Sequence, residues 1–318
     1  MSEVTEGLEE AFELPPELAE KVAQYQPPKS YKLPRPALSH SQVDMYLRCA
    51  RQYYFRYIKD EVRPPGIAMS LGTGVHKSLE LTHNHIVDHG QPAAEEQLLT
   101  TFSEAFDHAT EEIPKEAWQK EETTPGMLKD EGVRLVRLYN AKVAPQVRPR
   151  VGKDDKGKEV RGIEQSFSVL IAGIPVIGFI DLIDTNDPSA VVSPEELALM
   201  IKAGKTIPET MRTVVADLKT KQKSFSQGDV DGSLQLTLYS YVTKIPIVRF
   251  DQLLRQKVPK VTRISATRRP VDYLWLQEVY TSVADGITKG VFPPCSPTEW
   301  VCSEKWCGYW SICRGRKR

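Results

Sequence analysis

Val215-Ala-Asp217-Leu-Lys219-Thr220 and Gly178-Phe-Ile-Asp181 are two strand-like runs that each lead into a carboxylate. Side chains alternate along a strand, so Asp217 and Lys219 lie on the same face. A carboxylate at the end of a buried strand is costly unless it has a partner or a task. Two acids and a lysine suit a hard divalent cation, Mg²⁺ or Mn²⁺, with the lysine placed to orient a water or to stabilise charge on a phosphate. A surface ion pair at a strand end is the alternative, and the spacing alone does not separate the two.

A predicted helix further along the chain adds a third element. Gln235 and Tyr239 are four residues apart and therefore share one helical face. Taken in order, Gly-x-x-Asp, Asp-x-Lys-Thr and Gln-x-x-x-Tyr resemble the PD-(D/E)xK nuclease superfamily. The resemblance is specifically to its RecB-like branch, which includes the AddB nuclease domain and the CRISPR-associated adaptation nucleases. Upstream, Gly72-x-Gly74-Val75-His76 resembles the Gly-x-x-His motif of that branch, and residues 39–57 resemble its opening helix.

The resemblance implies both a fold and a set of residue roles. The fold is α/β, with a central mixed β-sheet flanked by helices: a restriction-endonuclease-like core with a helical N-terminal part and a cysteine-stapled C-terminus. Lys219 would act on the attacking water or the phosphate, and Gln235 and Tyr239 would position DNA or the lysine. Glu164 matches an acid often found upstream of the first aspartate, although an exposed strand glutamate is the alternative. The implied metal ligands are the side chains of His76, Asp181 and Asp217 and the carbonyl of Leu218.

The resemblance also predicts the domain organisation. It begins near residue 38 and runs to the C-terminus, which predicts a single nuclease domain over residues 38–318. Residues 1–37, which contain seven Glu and several prolines, are predicted to form a flexible arm. The distance from Asp181 to Asp217 is longer than is usual for the branch, and a predicted insertion over residues 184–212 accounts for it.

Apolar periodicity predicts the first helices. An opening helix is predicted from Val43 to Tyr57, with Ser39 or Ser41 as its cap. A glycine-bounded loop is predicted over residues 66–74, followed by a second helix that carries the metal-binding histidine. His83 on that helix is predicted to be a surface residue, because the residue order there is not that of a His-Glu-x-x-His zinc site.

The cysteines form a cluster that needs an explanation. Cys49 stands alone, whereas the other four lie within residues 295–318, which we predict to be a cysteine-rich closing segment. Without a secretory signal, a disulfide framework is not expected. A Cys₄ set suits a [4Fe–4S] cluster or structural zinc, and only the family resemblance favours the cluster. Four rather than two residues separate Cys302 from Cys307, so Cys295 is an alternate ligand, and buried free thiols are the remaining alternative. The predicted ligands are Cys49, Cys302, Cys307 and Cys313.

Composition excludes some classes of protein and leaves DNA binding open. With 42 Lys+Arg, 42 Asp+Glu and 40% hydrophobic residues, the chain is not a disordered, collagen-like or histone-like protein. Residues 200–269 nevertheless hold 14 Lys+Arg and 5 Asp+Glu, which predicts a basic surface for phosphates, with a solvated charged face as the alternative. Lys221 and Lys223 directly follow the catalytic strand and are the predicted DNA-binding residues.

These observations predict a Mg²⁺- or Mn²⁺-dependent DNA nuclease that hydrolyses phosphodiester bonds. We expect a single-strand exonuclease of DNA recombination, repair or phage DNA metabolism, because iron–sulfur members of the branch thread single strands. A recombination or helicase protein is an expected partner. The alternatives are a structure-selective or duplex endonuclease, and a DNA-binding recombination factor with weak nuclease activity. No apolar run spans a bilayer and the N-terminus lacks a secretory signal, so we expect no membrane partner and a location in the bacterial or phage-infected host cytoplasm.

Overall fold

The computed structural model describes residues 31–63, 66–187, 202 and 212–314. They fall into two compact units, a smaller one within Met1–Arg63, Phe167–Gly178 and Arg269–Arg318 and a larger one within Pro64–Ser166 and Phe179–Arg268. No helix in these described ranges combines the length and the apolar composition needed to cross a membrane. Much of the predicted arm and of the predicted insertion lies outside the described residues: 1–30, 188–201 and 203–211.

The smaller unit opens with short helical pieces rather than with one helix. They are α1 (His40–Arg48), α2 (Ala50–Tyr53) and a π-helical turn, Tyr54–Ile58. The Ser39 hydroxyl caps α1 by accepting a hydrogen bond from the backbone N–H of Gln42. The predicted continuous helix is broken at Cys49, whose backbone is extended, with φ −164° and ψ 101°. The break leaves the Cys49 side chain at a junction between two helices.

The larger unit begins with four helices packed around one apolar core. They are α3 (Ile67–His89), α4 (Glu95–Thr110), α5 (Lys115–Lys120) and α6 (Pro125–Lys142), with a 3₁₀ turn at Ala144–Gln146. The predicted loop over residues 66–74 is wrong, because α3 starts at Ile67 and contains both glycines. A Cβ at Gly74 would lie 3.0 Å from the Phe102 ring, so this glycine allows α4 to pack closely.

Seven strands and four further helices make up the rest of the described part of the chain. The strands are β1 (Val151–Lys153), β2 (Glu159–Arg161), β3 (Ile163–Ile171), β4 (Ile174–Asp184), β5 (Val214–Lys221), β6 (Ile247–Leu254) and β7 (Lys260–Thr267). The helices are α7 (Gln227–Asp231), α8 (Leu234–Thr243), α9 (Pro270–Thr288) and α10 (Trp310–Cys313).

The central sheet has the strand order β3-β4-β5-β6-β7. Ala172 and Gly173, both with positive φ, form the tight turn between β3 and β4. Strand β5 pairs antiparallel with β4 and parallel with β6, and β7 pairs antiparallel with β6. The parallel pair needs a crossover, which α7 and α8 supply. The predicted mixed sheet flanked by helices is therefore confirmed.

His83 corrects a prediction made for helix α3. Its side chain is fully buried, and its Nε2 lies 2.8 Å from the Tyr139 hydroxyl. Burial lowers the pKa of His83 to about 3, so the imidazole is neutral. The prediction of a surface histidine was wrong because His83 falls on the apolar face of α3, where a hydrogen-bonded neutral imidazole is tolerated.

An arginine is buried beneath the helices of the larger unit. Arg249 on β6 has no exposed surface, and its guanidinium donates to Asp184, Asp187 and Asp251. Burial opposes its charge, but these carboxylates raise its pKa, so it remains a cation. The network fixes β6, and with it the register of the neighbouring strand β5.

We expect Arg249→Met to destabilise the protein by about 3–5 kcal/mol, because it removes the cation shared by three buried or nearly buried carboxylates, of which Asp251 keeps a second ion contact, with Arg263. Urea unfolding followed by circular dichroism measures the loss. Arg137→Met, which breaks an exposed ion pair with Glu95, is the control and should cost at most about 1 kcal/mol. Equal stability of the two variants would show that the network does not hold the strand.

Candidate active site

The catalytic strand β5 places a carboxylate and an ammonium group side by side. Asp217 is 1% exposed, and its Oδ2 lies 2.7 Å from the Lys219 Nζ. Apart from this ion contact, neither carboxylate oxygen of Asp217 has a hydrogen-bond partner among the described residues. A buried carboxylate in this state is costly unless a cation satisfies it.

Three side chains from three elements converge nearby. His76 of α3, Glu164 of β3 and Asp181 of β4 bring one potential ligand atom each to within 4.8 Å of one another. His76 Nδ1 lies 3.7 Å from Glu164 Oε1, and His76 Nε2 lies 3.8 Å from Asp181 Oδ2. Sequence reasoning had named all three residues, and the structure brings them together in the larger unit.

Glu164 differs from an ordinary exposed strand glutamate. Its side chain is 31% exposed, and its backbone has a φ of 43°, in the left-handed region that non-glycine residues rarely adopt. Such strain costs on the order of 1–3 kcal/mol and tends to concentrate at functional sites. The strained backbone is therefore a second observation that connects Glu164 with the site.

The backbone of Leu218 connects the two groups. Its amide donates to Asp181 Oδ2 at 2.8 Å, and its carbonyl accepts a hydrogen bond from His76 Nε2, also at 2.8 Å. The predicted carbonyl ligand thus points toward the histidine of the site. Because Leu218 stands between Asp217 and Lys219, these two hydrogen bonds fix β5 against α3 and β4.

The electrostatics show a site with an excess of negative charge. Burial and the neighbouring Asp217 carboxylate raise the pKa of Asp181 to about 7. Burial opposes the charged form of His76, but Glu164, Asp181 and the Leu218 carbonyl raise its pKa to about 9. Carboxylates that repel one another and hold a histidine in its protonated form are the environment that a divalent cation stabilises.

Helix α8 fixes the direction of Lys219. The lysine Nζ donates to Gln235 Oε1 at 3.0 Å, and Gln235 Nε2 donates to the Tyr239 hydroxyl at 2.9 Å. Burial raises the pKa of Tyr239 well above its usual value, so it stays a neutral phenol. Ser233 caps the helix by accepting a hydrogen bond from the Leu236 amide. The predicted i, i+4 pair therefore positions the lysine, one of its two predicted roles.

A cleft of about 450 Å³ adjoins these groups in the larger unit. One wall is α3 and the other is the end of β5 with Glu164 of β3. Its lining residues are Ala68, Met69, Gly72, Thr73, His76, Lys77, Glu80, Glu164, Leu218, Lys219 and Thr220. The predicted catalytic groups thus open onto a space large enough for a small ligand.

An aromatic stack that the sequence did not reveal lies beyond Lys219. The Phe225 ring stacks on Phe250 with centroids 4.7 Å apart, and the Lys221 Nζ lies 3.0 Å from the Phe225 ring centre. Buried Gln252 holds the loop by accepting a hydrogen bond from the Phe225 amide at 2.6 Å. The predicted DNA contact Lys221 is therefore held in place, whereas Lys223 is exposed. All eight residues of β6 are buried. Strand β6 therefore lacks the alternation of buried and exposed positions from which the sequence could have shown that Phe250 and Gln252 lie near the site.

The five cysteines meet in the smaller unit. All of them line one pocket, together with Gln52, Phe55 and Tyr309, and all are free thiols. The Cys295 amide donates to Cys49 Sγ at 3.4 Å, and Gln52 Nε2 donates to Cys307 Sγ at 3.3 Å. Burial and its neighbours Cys49 and Cys302 raise the pKa of the Cys295 thiol to about 12. Among the described residues, no three of these sulfurs lie within 4.8 Å of one another, so they are not at metal-ligand spacing.

The chain was compared with solved structures, with curated proteins and with models of protein families. The structure is similar to that of a candidate exonuclease from Eubacterium rectale, with 10% sequence identity and a TM-score of 0.48 over 84% of this chain and 87% of that one. It is also similar to SSO0001, with 11% identity and a TM-score of 0.39 over 95% and 93% of the two chains. No curated protein matches the chain significantly. The family model for the PD-(D/E)XK nuclease superfamily matches residues 37–193 and 207–314. Since these ranges make up most of the sequence, the chain belongs to the PD-(D/E)XK nuclease superfamily.

Proposed function

We propose that the protein is a Mg²⁺- or Mn²⁺-dependent DNA nuclease that hydrolyses phosphodiester bonds. The observation that carries this proposal is the buried Asp217 carboxylate, which apart from its ion contact with Lys219 has no hydrogen-bond partner among the described residues. It lies close enough to Asp181, a member of the His76–Glu164–Asp181 group, to raise the pKa of that carboxyl. The Lys219 ammonium offsets part of the cost of burying this carboxylate, and a bound divalent cation would offset more of it.

The donor set fits a hard divalent cation. His76, Asp181, Asp217 and the Leu218 carbonyl would hold it, with Glu164 beside them. Oxygen donors with a single imidazole suit Mg²⁺ or Mn²⁺ better than softer metals. When bound, such a cation supplies Lewis acidity, which lowers the pKa of a coordinated water and neutralises charge on a phosphate.

The chain's own residues supply position and charge. Lys219 is held between Asp217 and Gln235, where its ammonium can orient the attacking water or stabilise the phosphate as its charge grows. Gln235 and Tyr239 keep the lysine in that direction, and the neutral phenol of Tyr239 adds no competing charge. A lysine fixed before the substrate arrives needs no rearrangement during the reaction.

We propose single-stranded DNA ends as the substrate and a place in the RecB-like branch of the superfamily. The basic composition of residues 200–269 and the stacked Lys221–Phe225 pair beside the site support this choice. The work of such an enzyme would be DNA recombination, repair or phage DNA metabolism in the cytoplasm, with a recombination or helicase protein as partner. A structure-selective or duplex endonuclease is the second candidate.

We further propose that Cys49, Cys302, Cys307 and Cys313 hold a [4Fe–4S] cluster, with structural zinc as the alternative. In a tetrahedral zinc site each sulfur lies about 2.3 Å from the ion, so neighbouring sulfurs are about 3.8 Å apart. No three of these described sulfurs lie within 4.8 Å of one another, so zinc would need them to move closer. A cluster is larger than a single ion and spreads its ligands further. The N–H donors aimed at Cys49 and Cys307 are the kind of hydrogen bond that tunes an iron–sulfur cluster.

End-labelled DNA tests the proposed function. The purified chain is incubated with 5′- and 3′-labelled single strands, with a labelled duplex and with a closed single-stranded circle, in Mg²⁺ or Mn²⁺. Release of short products from linear single strands, with the circle intact and no cutting in EDTA, is the expected result. Cleavage of the circle or of the duplex interior would favour the endonuclease. No cleavage of any substrate would favour a DNA-binding recombination factor.

We expect the double variant Lys221→Glu/Lys223→Glu to bind single-stranded DNA more weakly and with a shallower salt dependence. Removing two phosphate contacts should reduce the slope of log K against log salt by about 1.4. Fluorescence anisotropy over a series of NaCl concentrations, in Ca²⁺ to prevent cutting, measures the slope. Lys156→Glu/Lys158→Glu in the exposed β1–β2 hairpin makes the same charge change away from the site and is the control. Equal slopes for the two double variants would contradict this placement of the DNA.

A further inference from the structure

Helix α3 contains a glycine that the fold does not explain. Gly72 lies well inside α3, where glycine is among the residues least favourable to a helix. Its φ is not positive, so no left-handed turn requires it. A Cβ built at this position would meet no atom within 4 Å, so close packing does not require it either.

Two other helical glycines of the larger unit show what a packing requirement looks like. A Cβ at Gly74 would lie 3.0 Å from the Phe102 ring, and one at Gly132 would lie 2.0 Å from it. Both glycines are buried and let neighbouring helices approach closely. Gly72 differs from them, because its missing side chain leaves open space rather than room for another part of the protein.

That open space is the cleft at the catalytic groups. Gly72 precedes His76 by one helical turn and shares its face. The same cleft is lined by Ala68, another small residue one turn earlier, and by Lys219 and Thr220 on the opposite wall. The Thr220 hydroxyl is buried and has no hydrogen-bond partner among the described residues. The volume of about 450 Å³ falls in the range of roughly 300–1,000 Å³ that small ligands occupy.

We infer that Gly72 is a substrate-contact residue: the nucleotide next to the scissile phosphate packs against the backbone of α3 at Gly72, in the cleft that ends at His76 and Lys219. This inference rests on the proposed nuclease function. A side chain at position 72 would occupy the space of that nucleotide while leaving every predicted metal ligand in place. Gly72 thus determines whether the substrate strand reaches the catalytic lysine.

Substitution of Gly72 separates this role from folding. Gly72→Ala should raise the Tm by about 2 °C, because alanine favours the helix, yet lower kcat/KM on single-stranded DNA about tenfold. Gly72→Leu should lower kcat/KM about 100-fold, since small misplacements of a substrate have effects of that size. Mn²⁺ affinity, measured by titration calorimetry, should equal that of the wild-type chain in both variants, which excludes damage to His76. Gly126→Leu is the control, because this exposed helical glycine of α6 lies outside the cleft, and its activity should not change.

Each outcome decides between the alternatives. A folded Gly72→Leu variant with the kcat/KM of the wild-type chain would overturn the inference and leave the proposed function intact. A loss of activity that accompanies weaker Mn²⁺ binding would also overturn it, because the effect would then act through the metal ligands. A wild-type chain that cuts no DNA would overturn the proposed function, and the inference with it.

Discussion

Asp217→Asn is expected to abolish DNA cleavage, by a factor of at least about 10³, while leaving the protein as stable as the wild-type chain or more stable. Apart from its ion contact with Lys219, the buried carboxylate has no hydrogen-bond partner among the described residues, and it raises the pKa of Asp181. Neutralising it therefore removes a cost of folding together with a ligand for the cation. Lys219→Met should be equally inactive, because it removes the one ammonium held against the carboxylate.

The test compares single-turnover cleavage with thermal unfolding for each variant. Asp155→Asn, in the exposed turn between β1 and β2, is the matched control and should behave as the wild-type chain. Activity near the wild-type level in folded Asp217→Asn would show that the catalytic centre lies elsewhere. A large fall in Tm for this variant would instead show that the Asp217–Lys219 ion contact stabilises the fold by more than burial of the carboxylate costs, which would contradict a site that needs a further cation.

The residues of the proposed catalytic site can be predicted from the sequence because their spacing follows the periods of regular secondary structure. Asp217 and Lys219 are two residues apart on a strand, and Gln235 and Tyr239 are four apart on a helix. These periods fix which side chains share a face, whatever the rest of the fold does. The structure shows how the strand face and the helix face are connected: Lys219 of β5 donates a hydrogen bond to Gln235 of α8. No local pattern predicts that bond, because helix α7 and its flanking loops separate β5 from α8 along the chain.

The features that sequence reasoning missed depend on what lies across the fold. Residues 66–74 were expected to form a loop because glycine punctuates helices, yet Gly74 is required by the ring of Phe102, which is distant in sequence. His83 is predicted to lie on the surface because no His-Glu-x-x-His zinc motif includes it, yet in the structure it is buried and lies 2.8 Å from the Tyr139 hydroxyl. Arg249 is charged in sequence and fully buried in the structure, because three aspartates from two segments surround it. Tertiary partners overrode local preference in all three cases.

The sequence places the cysteines in one group, but the geometry of that group does not identify what the thiols bind. In this they differ from the residues of the proposed catalytic site. All five line one pocket, and Cys295 lies as close to Cys49 as a hydrogen bond allows. The extended backbone at Cys49 interrupts the helix at this point, which turns a residue of the opening segment toward the closing one. The metal content of the purified protein decides whether these thiols hold a metal centre.

We expect anaerobically purified protein to be brown, with broad absorbance near ~400 nm and about four irons per chain, as a Cys₄-held [4Fe–4S] cluster requires. Such a cluster joins Cys49 to the closing segment and encloses a loop of about 250 residues. Closing so long a loop restricts the unfolded chain, so the binding energy of the centre contributes to folding. Cys49→Ser, Cys302→Ser, Cys307→Ser and Cys313→Ser should each lower both the iron content and the Tm.

Cys295→Ser is the matched control, because Cys295 lines the same pocket but is not among the proposed ligands. It should retain iron, colour and Tm, and a loss of all three would make Cys295 a ligand in place of one of the others. Elemental analysis that finds one zinc and no iron would contradict the cluster while keeping a metal centre. Protein that holds neither metal, with a Tm unchanged by Cys49→Ser, would contradict both, because the thiols would then stabilise the fold only as small apolar side chains.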